Sequence, residues 1–190
     1  MDEILKIAKN GQWTLEKNWT PKHKQLADKW AEGGIRKDLN KLPKASSKLR
    51  TKMLSDIHKN AQEHRVNPET GHKEYKMFRA MPEGGHENDF HNKNKTSWTL
   101  DPGFAHYWAH NGQTPLPDMS EEEKADFKPH QVVSSWIPEH HIHSYLPSVM
   151  DPNHEKLQEK EVIVEPHDIK PHKIYAGKAL KANIKKLGIV

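Results

Sequence analysis

The chain of 190 residues contains no cysteine. Disulfides, thiolate nucleophiles and thiolate metal centres are therefore excluded, and the absence suits a reducing cytoplasm. No apolar run reaches membrane-spanning length, and Met1-Asp2-Glu3-Ile4-Leu5-Lys6 carries no apolar signal core. A soluble, cytoplasmic protein without a cleaved signal or a membrane partner is expected. Neither GxGxxG nor GxxxxGK[ST] occurs, so neither a Rossmann nor a P-loop nucleotide site is indicated. Apolar residues are scarce too: 33% hydrophobic against 29% charged, which points to a modest core. Charge of one sign is not in large excess. The 30 basic and 26 acidic side chains leave +4 and a pI near 9.0, a balance that permits contact with nucleic acid or an acidic protein without requiring it.

What is present falls into two parts. Residues 1–66 read as a helical segment. Ile4, Leu5 and Ala8 form a short apolar stripe. Thr20-Pro21 opens a second helix, which Gly33-Gly34 closes. Ser46 or Ser47 caps a third, with Leu49, Met53, Leu54, Ile57 and Ala61 along one face. After the turn Asn67-Pro68-Glu69-Thr70-Gly71 the pattern changes to short strands: Tyr75–Met81, Thr96–Leu100, Gln131–Ile137, His141–Leu146, a strand entered through Glu159 and Glu161, and His172–Ala176. A helix capped by Asp101 with Pro102 at its first position interrupts them, its apolar side formed by Phe104, Ala105, Trp108 and Ala109. A short helix is expected at Ser120–Glu123 and a Lys-rich one over Ala179–Leu187. The polar stretches 82–95 and 147–158 read as loops. Helices first and strands afterwards indicate an α+β fold, with residues 67–190 as its sheet-bearing core.

The most informative stretch is Glu159-Lys160-Glu161-Val162-Ile163-Val164. Alternation along an extended chain places both carboxylates on one face at the mouth of a β-branched strand. Like charges so placed suit an exposed edge, where they discourage strand addition, or a working cleft. Arg79 lies near the end of an apolar strand, on one face with Tyr75 and Met77. A structural salt bridge or a bound phosphate would satisfy its planar guanidinium equally well. Ser97-Trp98-Thr99 stands on the strand that runs into the Asp101-Pro102 helix.

In this order, Phe78-Arg79-Ala80, Ser97-Trp98-Thr99 and Glu159-Lys160-Glu161 resemble the signature of the mono-ADP-ribosyltransferases of the Arg-Ser-Glu type, over about residues 72–177. The resemblance implies a split two-sheet catalytic core preceded by the helical segment. NAD would be the substrate, and no metal is expected. It further implies that Arg79 clamps the NAD phosphates and that the backbone at Ala80 meets the nicotinamide amide. Ser97 orients Glu161, Thr99 supports the cleft wall, Glu161 stabilises the positive ribose, and Glu159 holds an arginine acceptor. Residues 148–158 would help select the target. The sequence departs from the family at Ala80, where glycine often follows the arginine, and at Trp98, which replaces a threonine. Phe90, Trp108 and Trp136 are candidates for the ring stacked on nicotinamide, with a core role expected for the last two. Small size and the missing signal resemble a bacteriophage member acting on a host protein, with nucleic acid as another acceptor, in the host cytoplasm.

Two other functions fit the same residues. One is an inactive module of the same fold that binds a host protein or nucleic acid through its basic helices. The other is an NAD glycohydrolase, with water as acceptor. The 15 histidines include His106 and His110 at helical spacing and the cluster His140, His141 and His143, but no HExxH or acidic third ligand accompanies them, so no metal site is expected. The charge of these histidines is expected to climb as pH falls through the mid-sixes.

Overall fold

The computed structural model describes residues 41–85, 95–115, 117–148, 158–166 and 168–189. The helices expected before residue 41, most of the two polar loops, and Phe90 lie outside these residues. The described chain is a mixed helical and antiparallel-sheet fold. Its helices are α1 (Ser47–Asn60), α2 (Pro102–Asn111), α3 (Glu121–Ala125) and α4 (Gly177–Lys186). Its strands are β1 (His64–Val66), β2 (Lys73–Pro82), β3 (Thr96–Thr99), β4 (His130–Pro138), β5 (Ile142–Tyr145), β6 (Glu161–Val164) and β7 (Pro171–Tyr175). They form one seven-stranded sheet in the order β5-β6-β3-β2-β4-β7, with β1 added beside β2. Among the described residues no helix is long and apolar enough to cross a membrane.

The caps follow their chemistry. Ser46 accepts a hydrogen bond from the Leu49 amide, Asp101 accepts from the amides of Gly103 and Phe104, and Ser120 forms a reciprocal capping box with Glu123. Each satisfies amides that a helix leaves without a partner. At the other end of α2, space rather than φ requires Gly112. A Cβ there would stand 1.9 Å from Nδ1 of His130, and the His130 amide donates to the Gly112 carbonyl.

Two apolar clusters flank the sheet. The larger joins Leu49, Met53 and Ile57 of α1 to Tyr75, Met77, Trp98, Val133 and the whole run Val162-Ile163-Val164. The smaller packs Ala105 and Ala109 of α2 and Leu180 and Ile184 of α4 on Phe78 and Val132. The period-two pleat of β2 accounts for the division: Tyr75, Met77 and Met81 face one cluster and Phe78 the other.

Three expectations need correction. The helical reading of residues 1–66 fails at His64–Val66, which pairs with Lys73–Tyr75 as a hairpin around the Asn67 turn. A three-residue, wholly exposed strand carries no alternation to detect. Second, Trp108 is not core: it is 49% exposed, and the buried face of α2 is Ala105, His106 and Ala109. His106 is accepted inside because its Nδ1 lies 2.6 Å from the Pro102 carbonyl and its ring packs edgewise on Tyr175. Trp136 is half-buried on the sheet, with the Arg65 guanidinium 4.3 Å above its ring. Third, not every histidine keeps an ordinary affinity for protons. Burial lowers the pKa of His106, His130 and His143.

Candidate functional site

The middle of the sheet brings three of the singled-out segments side by side. β6 pairs with β3 in the register Thr99↔Glu161, Trp98↔Val162 and Ser97↔Ile163. β3 meets β2 at a single Cα pair, Phe78↔Thr99, on the same edge of β2 that carries β1 further toward its N-terminus. Thr99 is thus flanked by Glu161 on one side and by the neighbour of Arg79 on the other.

Two hydroxyls of β3 hold the Glu-Lys-Glu segment. Ser97 Oγ donates to Oε1 of Glu161, and Thr99 Oγ1 donates to the Glu159 backbone carbonyl at 2.5 Å. Both hydroxyls lie on the same pleat face of β3, two residues apart. Thr99 Oγ1 also accepts from the Asp101 amide at 2.9 Å, so one side chain ties the carboxylate segment to the start of α2. Glu161 is buried, at 9% exposure, and a hydrogen bond to a charged oxygen in such a place contributes roughly 1.5–3 kcal/mol.

The strand begins at Glu161, not at Glu159. Lys160 has φ of +46°, a left-handed conformation that costs a side-chain-bearing residue about 1–2 kcal/mol. Contacts on both sides hold it there. The Glu159 carbonyl is bound by Thr99, the Lys160 carbonyl accepts from the Leu100 amide at 3.2 Å, and Lys160 Nζ stands 3.9 Å from Asp101 Oδ2. The shared face expected for Glu159 and Glu161 assumed an unbroken extended chain, and the kink at Lys160 removes that basis. Glu159 sits on a turn at the strand's mouth, half-buried, with its backbone fixed by Thr99.

Arg79 is buried at 8% exposure. It stands on the pleat face of Tyr75, Met77 and Met81, whereas Phe78, the Cα partner of Thr99, stands on the other. Ala80 follows it, half-buried and paired with Val132. Trp98 lies wholly in the core, its Nε1 donating to Thr96 Oγ1 at 3.0 Å, so its departure from a threonine is a packing matter. Hydrogen bonds therefore unite Ser97, Thr99, Glu159 and Glu161, whereas register places Arg79 on the adjacent strand but on the opposite pleat face from Thr99. Sequence reasoning missed Asp101 and Lys160 as parts of this assembly. The N-cap motif marks Asp101, but nothing local marks a lysine destined for a left-handed turn.

Chemically, a buried carboxylate fixed by a neighbouring hydroxyl suits a positive charge developing beside it. Among the described residues no group of three or more histidine, aspartate or glutamate side chains is arranged to hold a metal ion. No protein-family model, curated protein or solved structure matches the chain.

Proposed function

We propose that the protein is an NAD-dependent mono-ADP-ribosyltransferase that modifies arginine on a macromolecular target, a host protein in the bacteriophage setting. The observation that carries the reading is the pair of β3 hydroxyls on the Glu-Lys-Glu segment, with Ser97 on the Glu161 carboxylate and Thr99 on the Glu159 carbonyl. The split two-sheet core that the family resemblance implies is not what the strands form: they make one continuous seven-stranded sheet, in which β2 and β3 join at a single Cα pair.

In the reaction the bond between ribose C1′ and the nicotinamide nitrogen breaks, and its electron pair leaves with nicotinamide. A guanidinium nitrogen of the acceptor forms the new bond to C1′ and gives up one proton. Glu161 lowers the barrier by standing beside the positive charge that grows on the ribose. Ser97 keeps that carboxylate in one orientation, so that little reorganisation is needed when the charge appears. Glu159 holds the guanidinium and takes up its proton. Arg79 grips the phosphates, and the Ala80 backbone the nicotinamide amide; both roles rest on the family resemblance.

The test is incubation with labelled NAD and a bacterial lysate, beside Glu159→Ala and Glu161→Ala. Discrete labelled bands are expected from the wild type alone. Glu159→Ala is expected to release nicotinamide without labelling, and Glu161→Ala to do neither. Nicotinamide release without bands from the wild type would make the protein a glycohydrolase. Neither product from the wild type would overturn the catalytic reading in favour of a binding module.

A further inference from the structure

Past the opposite end of β6 from Glu161, a cavity of about 280 Å³ lies where the start of α1 meets β5 and the residue after β6. Its polar lining is Lys44, Arg50, His140, His143 and Glu165. Three independent features give it the character of an anion site. The first is charge: a lysine and an arginine line it against one carboxylate. The second is the helix end. Lys44 and Ala45 immediately precede the Ser46 cap, Arg50 lies in the opening turns, and the first turn of α1 has no acidic residue to offset the positive end of its dipole.

The third is His143. It is buried at 3% exposure, and its Nδ1 lies 2.6 Å from Ser144 Oγ. Its Nε2 makes no hydrogen bond of good geometry, although the Glu165 carboxylate stands 4.0 Å away and the Leu42 carbonyl lies near the ring. A buried polar nitrogen in that condition costs stability unless something comes to it. The arginine is already oriented: Arg50 Nη1 donates to the Ile142 carbonyl and Nη2 to the Glu139 carbonyl, each at 2.8 Å. Those bonds fix the guanidinium plane between α1 and the sheet.

We propose that this cavity binds a phosphate-sized oxyanion, held by Lys44, Arg50 and His143 at the N-terminus of α1. A transition-metal ion is disfavoured by the two permanent cations. The site is separate from the Ser97–Glu161 assembly, and the proposal stands whether or not the transferase reading does. Bound anion favours the imidazolium form of His143, so binding draws a proton onto the ring. The groups that set this balance are Lys44 and Arg50 on the α1 side, Lys95 before β3, His140 beside β5 and Glu165 after β6.

The experiment follows the His143 ring nitrogens by NMR in the full chain at pH 6, while inorganic phosphate and, separately, glycerol phosphate are added. A saturable shift of the His143 signals is expected, weakened about tenfold by Lys44→Ala and strengthened severalfold by Glu165→Gln. Equal affinity for the two probes assigns the site to free phosphate, and tighter binding of the ester assigns it to a phosphate monoester. If His143→Gln, made to assign the signals, does not fold, calorimetric titration of phosphate into the wild type, Lys44→Ala and Glu165→Gln decides instead. No saturable binding, or binding that Lys44→Ala leaves unchanged, would overturn the proposal.

Discussion

Glu161 and Glu165 bracket one four-residue strand, and their surroundings differ in kind. At the first end a buried carboxylate receives a hydroxyl, and the chain just before it is bent into a left-handed turn and held by Thr99 and Asp101. At the second end the carboxylate is more exposed and faces a buried neutral imidazole among cations. The first arrangement is organised around a negative charge held in one orientation. The second has cations in excess and is ready for an anion. Between them, Val162, Ile163 and Val164 are fully buried and make β6 a rigid rod, so the two ends are held apart by core packing. The same sheet can therefore carry two electrostatic tasks of opposite sign without one neutralising the other.

This contrast can be broken most forcefully at Glu161. Glu161→Gln keeps the shape and a hydrogen-bonding oxygen while removing the charge, and we expect a loss of about 10³-fold in NAD cleavage with the far-UV circular dichroism unchanged. Ser97→Ala removes only the orienting hydroxyl. A loss of about 10- to 100-fold in kcat, with KM little changed, is the expected result of steady-state measurement. Equal losses in Ser97→Ala and Glu161→Gln would mean that the hydroxyl does more than orient.

The next effect in size separates the two glutamates of the motif. Thr99→Val releases the Glu159 carbonyl and the Asp101 amide, and should lower stability by roughly 1–2 kcal/mol in urea unfolding. Arginine labelling should fall more than nicotinamide release in that variant, because Thr99 fixes the Glu159 turn. A uniform fall in both would show that the turn serves the whole site rather than the acceptor.

The far end of β6 should answer to pH. Burial first, and then the positive field of Lys95, with smaller contributions from Lys44 and Arg50, brings the His143 pKa from 6.5 down to about 4, while the nearby Leu42 carbonyl pulls the other way. The folded state thus holds this ring neutral where the unfolded chain would protonate it. Its contribution is fully present above the unfolded value of 6.5 and is lost as pH falls from there toward 4. Denaturant unfolding at pH 7 and pH 4.5 should show a fall that His143→Gln reduces by on the order of 1–3 kcal/mol. A pH profile that this substitution leaves unaltered would remove the contrast between the two ends.

Local signals carried much of the architecture. The Ser46, Asp101 and Ser120 caps, the long periodic face of α1 and the β-branched runs of β4 and β6 are all contained within a few residues, so the sequence displays them directly. Ser97, Thr99 and Glu161 stood out as candidates through the family resemblance, which implied that Ser97 orients Glu161 and that Thr99 supports the cleft wall. What escaped depends on residues distant in the chain or on backbone geometry. Trp108 reads as core by spacing, but small alanines and His106 let α2 lie close to Phe78 and Val132 and turn the indole outward. The handedness of Lys160 is imposed by contacts from Thr99, Leu100 and Asp101, some sixty residues earlier. The His143 cavity joins residues from 44 to 165, and no local pattern relates Lys44 to Glu165.

The most direct test of the central claim is the rate of nicotinamide release from NAD, in the presence of lysate, by the wild type and by Glu161→Gln at equal folded concentration. The account predicts measurable release by the wild type and a loss of about 10³-fold in the variant. Release that survives the substitution would contradict it, because the buried carboxylate beside Ser97 would then have no part in the chemistry.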